Sequence, residues 1–296
     1  LSIIGSIVLL IIFNRVDIGI LAIGFVINNI AIGGLLGRKE FGLYSKYSLL
    51  QKGLVAALGI ITIYFFNYEG LIFAIAFSYL IFINKLIYFV KNSNLKFELF
   101  RDKWRFVITN YITIIFGSAG TQIDKIVIMP VLGVVVLGNY SLGLQVLVIF
   151  NALSSIAYKF MLPQDSTRSS THKIKKYLLL ITVGISILGF FLLPIIMTEI
   201  FPKYNDATSA IQILALEIIP TSLFVIFSSK LLSLEKSRIF LISNGAGLLT
   251  MIIGIFTLGV NYQMAGLFST VVLSTTINAT ILILYYKKLG YNFNEV

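Results

Sequence analysis

Long apolar stretches separated by short polar connections run along the whole chain. Nine of them reach the length of ~20 residues that an α-helix needs to cross ~30 Å of hydrocarbon. The first is shorter, as expected of a helix whose beginning precedes residue 1. The ten stretches are 1–13, 18–36, 47–66, 70–90, 107–132, 139–161, 175–198, 208–230, 239–259 and 263–286. Apolar and polar residues do not alternate within them, so the pattern predicts helices rather than the strands of a membrane barrel.

Composition assigns the same class. The 296 residues are 58% hydrophobic and only 12% charged, about half the charge of a typical soluble protein. The mean hydropathy is +0.96. A soluble fold cannot hide that much apolar surface, and a disordered chain has the opposite composition. The absence of cysteine excludes a disulfide scaffold and a His/Cys metal cluster. We therefore expect an all-α polytopic membrane protein with about ten transmembrane helices.

The 23 Lys and Arg residues are distributed unevenly between the two sides of the predicted membrane. Twenty lie on alternate connections that share one side, whereas only Arg15 and Lys203 lie on the other and Lys125 lies inside a stretch. Basic residues collect on cytoplasmic loops. The asymmetry predicts a multi-pass protein of the cell (plasma or inner) membrane with a cytoplasmic C-terminus. It also explains the net charge of +11 without nucleic acid as a partner.

The longest connection is the basic segment 91–106, which is predicted to be cytoplasmic. Its apolar residues fall near helical spacing, which is typical of a short helix at the membrane interface. It is the best boundary between two helical lobes. We expect 1–95 to be the remainder of an N-terminal lobe, 96–106 an interfacial linker and 107–296 a C-terminal lobe. If the lobes are equal repeats, two helices precede residue 1.

Ionisable residues inside apolar stretches are the candidate functional groups, because charges are costly in hydrocarbon. Asp124 and Lys125 are adjacent in stretch 107–132 and therefore point about 100° apart on a helix. Each needs its own partner or water. A buried structural ion pair to another helix and the wall of a polar transport cavity both account for them.

Glu217 lies near the middle of stretch 208–230, and Pro220 follows within one turn. Proline frees a backbone carbonyl and kinks a helix. A carboxylate beside a kink suits a proton or polar-substrate site, although a hydrogen-bonded carboxyl that holds helices together fits equally well. Arg15 and Asp17 flank an outer turn, where they are either solvated or at the mouth of a cavity.

Neutral polar residues also occur inside the stretches. Interhelical hydrogen bonds or a hydrophilic pathway would explain Asn28, Asn29, Asn110, Asn151 and Asn278. The chain has no GxxxxGK[ST] loop and no G-x-S-x-G elbow. The sequence therefore predicts neither an enzyme nor a bound cofactor.

Three segments resemble the polysaccharide flippases of the multidrug/oligosaccharidyl-lipid/polysaccharide (MOP) exporter superfamily. TQIDKIVIMPVLGVVVLGNYSLGLQVL is similar to the seventh-to-eighth helix region of those proteins, with a membrane Asp, a basic residue, a Gly turn and G-x-Y-S. IFPKYNDATSAIQILALEIIPTSLFVIFSSKLLSLEKSR resembles their ninth-to-eleventh helix stretch. GLLGRKEFGLYSKYSLLQKGL resembles their fourth-to-fifth helix connection.

The resemblance implies a protein of twelve helices in two lobes around a central cavity, of which the first two helices are missing here. It implies that lipid-linked oligosaccharide is flipped from the cytoplasmic to the outer leaflet by alternating access. The partners would be a polyprenyl-diphosphate-linked oligosaccharide, membrane lipids and a coupling cation. Lys125 would contact phosphate or acidic sugar, while Asp124 and Glu217 would bind sugar hydroxyls, couple to a cation or brace the lobes.

Three other functions are open. A cation-coupled multidrug exporter of the same superfamily would use its carboxylates for coupling. A membrane-embedded glycan polymerase or ligase usually needs a larger outer loop than the short ones predicted here. A membrane scaffold without transport activity is disfavoured by the charges inside the stretches.

Overall fold

The computed structural model is helical, and it describes residues 16–91, 101, 103–167, 171–200 and 205–290. The chain divides into two compact units, Leu1–Phe97 and Glu98–Val296. The division falls in the long basic connection, most of which lies outside the described residues, as do stretch 1–13 and Arg15. The assignment of lobes and of an interfacial linker therefore stays a prediction.

The described part of the first unit begins with α1 (Val16–Gly37). Helix α2 (Phe41–Tyr79) continues through a short 3-10 turn (Leu80–Phe82) into α3 (Ile83–Lys91). Ala31, Leu35 and Phe82 form a small core on which Tyr44 and Tyr47 pack.

The described part of the second unit contains more helices and buries larger apolar cores. They are α4 (Trp104–Leu132), α5 (Val134–Ser166), α6 (His172–Ile200), α7 (Asn205–Ala215), α8 (Ile218–Ser233), α9 (Arg238–Gly254), a π-helical segment (Ile255–Gly259) and α10 (Val260–Lys288). One core includes Tyr140, Leu214 and Phe268, and another includes Met161, Phe227 and Tyr286.

Helices of membrane-spanning length and hydropathy confirm the class of the protein, but not the number of about ten. Within the described residues, seven segments qualify by length and composition. The last of them, Arg238–Lys288, combines the two predicted stretches 239–259 and 263–286, between which the chain turns sharply at Gln263. Helix α4 covers stretch 107–132 but is not among the seven. Numerous large apolar side chains are exposed, such as Ile60, Phe65 and Ile149, as expected of surfaces that face lipid.

The predicted kink near Pro220 is a tighter turn of two residues that joins two helices within one span, Ala210–Ser233. Helix α7 ends at Ala215 and α8 begins at Ile218. A proline at position 220 cannot donate to the carbonyl of Leu216, and its ring clashes with that carbonyl in a continuous helix. The backbone amides of Leu216 and Glu217 bond to Ile213 and Leu214 instead, in tighter turns. Glu217 is consequently the residue that precedes the first turn of α8.

A sharp turn interrupts α2 and another interrupts α10, and the two turns have the same geometry. Asn67 has φ 52° and Gln263 has φ 48°, which is the left-handed region that a non-glycine residue seldom adopts. Three residues after each turn comes a glycine that lies against a backbone carbonyl. A Cβ on Gly70 would lie 2.1 Å from the Thr62 oxygen, and one on Gly266 would lie 1.9 Å from that of Leu258.

Candidate functional site

A cavity of about 640 Å³ lies within the second unit. It is enclosed by α4, α5, α8, α9 and α10, and its polar wall is made mainly of amide and hydroxyl side chains. The polar lining residues are Gln122, Asp124, Lys125, Tyr140, Ser141, Gln145, Asn151, Ser155, Thr221, Asn244, Ser274, Thr275 and Asn278. The volume is in the range of known ligand pockets, and the wall offers many neutral donors and acceptors but few charges.

A carboxylate and a phenol form the centre of one wall. The Tyr140 hydroxyl donates to Asp124 Oδ2 at 2.7 Å, and the backbone N–H of Lys125 donates to Asp124 Oδ1 at 2.7 Å. Asp124 and Tyr140 are both buried. The ring of Tyr140 stacks on that of Phe268 in α10, with centroids 6.2 Å apart. The carboxylate is thus held by neutral donors from α4 and α5.

Lys125 extends along the same helix. Its Nζ lies 3.3 Å from Gln122 Oε1, one turn earlier in α4, and both side chains line the cavity. The side chain of Lys125 is half-buried. This position leaves the ammonium group within the polar part of the wall, next to an amide that can share a bound ligand.

Glu217 lies behind the wall of the cavity. Its side chain is buried, Asn151 Nδ2 donates to Oε2 at 2.9 Å, and the Thr221 hydroxyl donates to Oε1. Asn151 and Thr221 line the cavity, whereas Glu217 does not. Glu217 directly precedes the first turn of α8 and lies one turn before Thr221, so the two side chains share one face of that helix. Glu217 therefore orients two cavity side chains from α5 and α8.

The far wall depends on close packing of α9 and α10. A Cβ on Gly247 would lie 2.3 Å from Asn278 Oδ1, so the amide lies directly on the backbone of α9. Ser243 Oγ donates to the backbone oxygen of Asn278 at 3.0 Å, and Ser274 Oγ donates to that of Gly247 at 2.9 Å. Small residues let the helices approach, and hydroxyl groups join them.

The five candidate residues from the sequence do not all meet. Asp124, Lys125 and the partners of Glu217 belong to one cavity. Asp17 is in the first unit, in the first turn of α1, and its side chain is buried rather than exposed at a turn. Arg15 lies outside the described residues. Substrate binding by any of the five stays a prediction.

Sequence reasoning overlooked some polar groups that the structure brings together. Tyr140 lies 16 residues after Asp124 in the G-N-Y-S segment, which was noted only for its resemblance. A second buried cluster joins Asp165 of α5 to Lys175 of α6, with Oδ2 and Nζ 2.9 Å apart. Thr171 and Ser229 donate to the same carboxylate. An Asp–Lys pair ten residues apart across a helix connection is a signal that could have found it.

No family model matches the chain, and a search of curated proteins gives no match. Solved structures do match. Crystal structures of a MATE protein in the bent and in the straight conformation align with TM-scores of 0.74 and 0.75 at 14% and 15% identity. The chain has the fold of MATE transporters. An outward-facing multidrug resistance MATE family transporter of the MOP superfamily aligns with a TM-score of 0.71 at 15% identity.

These three alignments cover 93% of this chain and 67%, 69% and 69% of the other chains. The all-helical membrane fold and the likeness to the MOP superfamily are thereby supported at the level of fold. Membership of the polysaccharide flippases and a missing N-terminal part stay predictions.

Proposed function

We propose that this protein is a membrane transporter that exports an amphipathic solute by alternating access and that the cavity of the second unit contributes to the solute site. The observation that carries the proposal is this cavity inside a MATE-like fold, whose largely apolar lining carries a set of amide and hydroxyl groups. A polar solute group loses its hydration in hydrocarbon, and the amide and hydroxyl wall would replace that water. The proposed location is the plasma or inner membrane with a cytoplasmic C-terminus.

The two buried carboxylates are the proposed coupling groups. Asp124 and Glu217 receive hydrogen bonds from Tyr140, Lys125 N–H, Asn151 and Thr221, all of which are neutral donors. A carboxylate in a membrane segment that is held by neutral donors is suited to take up a proton or a small cation. Uptake of the proton or cation on one side of the membrane and its release on the other would drive the change between the inward-open and outward-open states.

The first candidate substrate class is the amphipathic organic cation. One of the similar structures is a multidrug resistance transporter, which supports the multidrug function better than the flippase function. The Asp124 carboxylate in the cavity wall would attract such a cation, and the apolar lining residues Phe224, Leu248 and Met251 would contact its rings.

The second candidate is a lipid-linked oligosaccharide. The wall itself favours it, because the side chains of Asn151, Asn244, Asn278 and Gln145 are neutral amides of the kind that bind sugar hydroxyls. Lys125 would contact the diphosphate or an acidic sugar. The polyprenyl chain would remain in the lipid.

Transport in proteoliposomes tests the proposal and separates the two candidates. Vesicles that contain the protein are given a sodium or a proton gradient, and ethidium uptake is followed by fluorescence. In parallel, a fluorescent polyprenyl-diphosphate glycan is placed in the membrane, and its protection from external dithionite reports flipping. Gradient-dependent ethidium uptake supports the exporter, and protein-dependent exchange of the glycan lipid supports the flippase.

Asp124→Asn is the matched variant for both assays. It retains the volume of the side chain and removes its charge, so gradient-dependent uptake should fall at least about tenfold if Asp124 is a coupling group. Glu235→Gln removes an exposed carboxylate outside the cavity and should leave transport unchanged. Transport of neither probe by correctly folded protein would contradict the proposed function.

A further inference from the structure

Two cations and two tyrosine rings meet at one end of the first unit. The guanidinium of Arg38 lies 5.9 Å from the centroid of the Tyr88 ring. Lys85 Nζ lies 5.7 Å from that centroid and 5.7 Å from the centroid of Tyr47. The cluster therefore joins the end of α1, the beginning of α2 and the middle of α3.

The rings are held by the core of this unit. Tyr47 packs on the small core of Ala31, Leu35 and Phe82, and its ring centroid is 5.5 Å from that of Phe82. Tyr88 is half exposed. A partly buried ring and an exposed ring thus hold the Lys85 ammonium between them, so less side-chain entropy remains to be lost when it binds a ligand.

The charge around the cluster is strongly positive. Among the described residues of the first unit, the acidic ones are Asp17, Glu40 and Glu69. Asp17 lies in the first turn of α1 and Glu69 follows the turn at Asn67, so both lie at the opposite ends of helices that reach this cluster. Glu40, directly before α2, is the acidic residue at this end, where it is outnumbered by Arg38, Lys39 and Lys85. Within the described part of the chain, no carboxylate forms an ion pair with Lys85, whose interactions are with the two rings.

Apolar surface adjoins the charges. Leu43, one turn before Tyr47 on the same face of α2, is 39% exposed. A soluble phosphate would leave this side chain uncovered, whereas a lipid would place its phosphate on the cations and its acyl chains along Leu43. Tyrosine is also enriched at the level of the membrane headgroups.

We propose that Arg38, Lys85 and the rings of Tyr47 and Tyr88 bind the headgroup phosphate of an anionic membrane phospholipid. Both cations would donate to the phosphate oxygens in charge-assisted hydrogen bonds. Basic clusters at the cytoplasmic ends of membrane helices attract anionic lipids, and the predicted topology places this end on the cytoplasmic side. The site lies outside the cavity and does not depend on which solute is transported.

Lipid titration of the detergent-purified full chain tests the site. Native mass spectrometry would count bound dioctanoyl phosphatidylglycerol, with dioctanoyl phosphatidylcholine as the zwitterionic comparison. A basic residue near the headgroups contributes about 1 kcal/mol to lipid binding. Lys85→Gln should therefore lower the affinity for phosphatidylglycerol about fivefold. The double variant Arg38→Gln and Lys85→Gln should lower this affinity about 25-fold. Lys85→Arg should bind as the unmodified protein does, because phosphate accepts either cation.

Lys52→Gln is the matched control. It removes the same charge from an exposed position in α2 that contacts neither ring, and it should change the affinity about twofold or less. An equal loss in Lys52→Gln and Lys85→Gln would overturn the proposal, because the attraction would then be that of any positive surface. Equal binding of phosphatidylcholine would overturn it as well.

Two further ligands identify the source of the phosphate. Inorganic phosphate at millimolar concentration should not displace the phospholipid, and displacement would assign the site to a soluble anion. Undecaprenyl diphosphate should bind no better than phosphatidylglycerol. Preference for the diphosphate would overturn the phospholipid assignment in favour of substrate loading. Thermal unfolding of each variant verifies that it is folded.

Discussion

At the scale of single residues, the contact between Asp124 and Tyr140 explains how a carboxylate is tolerated in an apolar helix. Both groups are buried, and two hydrogen bonds of 2.7 Å satisfy the two carboxylate oxygens. Removal of one donor leaves a buried acceptor without a partner, which costs about 1–3 kcal/mol and more for a charged group.

Tyr140→Phe should therefore destabilise the protein by about 1–3 kcal/mol, because Oδ2 of Asp124 loses its donor and the ring is retained. The measurement is thermal unfolding in detergent. Tyr111→Phe removes a hydroxyl from a ring that is 66% exposed and serves as the control. Equal melting temperatures for both variants and the unmodified protein would show that the hydrogen bond does not contribute to stability.

Glu217→Gln tests the second carboxylate. Glutamate accepts on both oxygens, from Asn151 and from Thr221, whereas glutamine has one acceptor oxygen and one donor amide. Both contacts can persist only if Thr221 or Asn151 reverses its role and accepts from the new amide N–H. We expect the abundance of the variant in the membrane to stay within about twofold of that of the unmodified protein. Coupled transport should fall about tenfold or more, since uptake of a proton and binding of a cation both require the carboxylate.

The comparison for this variant is Glu199→Gln, at an exposed position near the end of α6. It should preserve both abundance and transport. If Glu217→Gln instead lowers abundance and transport in proportion, Glu217 only braces α5 against α8 and takes no part in coupling.

The sequence identified Asp124, Lys125 and Glu217 because charges are rare and costly inside apolar stretches. It did not identify Tyr140 or Thr221, because tyrosine and threonine are common in membrane helices and their composition signal is weak. Their importance comes from the tertiary packing of α4 on α5 and of α8 on α5. Lys175 is one of the twenty basic residues that the sequence places on connections. Its buried partner Asp165 belongs to another helix, so only the tertiary structure shows the pair.

At the scale of elements, hydropathy predicted most helices to within a few residues. Stretch 18–36 corresponds to α1, and stretch 139–161 lies within α5. The pattern could not show that α7 and α8 are separate, because apolar residues continue across the break and only Pro220 marks it. The π-helical segment Ile255–Gly259 likewise has no apolar signature of its own.

The turns at Asn67 and Gln263 give a prediction about two glycines. Gly70→Ala and Gly266→Ala each place a Cβ about 2 Å from a backbone oxygen, and backbone cannot yield as a flexible side chain does. Each change should lower the amount of folded protein in the membrane several-fold, as measured by fluorescence size-exclusion chromatography of a tagged chain.

Gly53→Ala and Gly245→Ala are the matched controls, because a Cβ at either position meets nothing within 4 Å. Both glycines lie inside helices, where alanine is favoured by about 0.5–1 kcal/mol. These variants should be as abundant as the unmodified protein or more so. Normal abundance of Gly70→Ala would show that the turn at Asn67 can open without cost.

At the scale of the whole molecule, the two turns have the same sequence spacing. In each, a left-handed residue is followed three positions later by the glycine, which packs on the carbonyl eight positions before it: Thr62 for Gly70 and Leu258 for Gly266. One turn belongs to each compact unit. The same local geometry thus occurs once in each unit, while the repetition of whole lobes stays a prediction. Sequence alone did not show it, because Asn67-Tyr-Glu-Gly and Gln263-Met-Ala-Gly share only their last residue.

Membrane orientation is the last prediction, and it follows from the distribution of charge. Twenty of 23 basic residues lie on one predicted side, which should be cytoplasmic. The chain has no cysteine, so a single introduced thiol reports one position.

Glu69→Cys, at the turn after Asn67, should react with an impermeant maleimide added to intact cells. Lys236→Cys, in the connection between α8 and α9, should react only after the cells are opened. Both side chains are exposed, so a silent position reflects the membrane barrier and not burial. Labelling of Lys236→Cys but not of Glu69→Cys in intact cells would reverse the orientation. It would also place the Arg38 and Lys85 cluster in the outer leaflet.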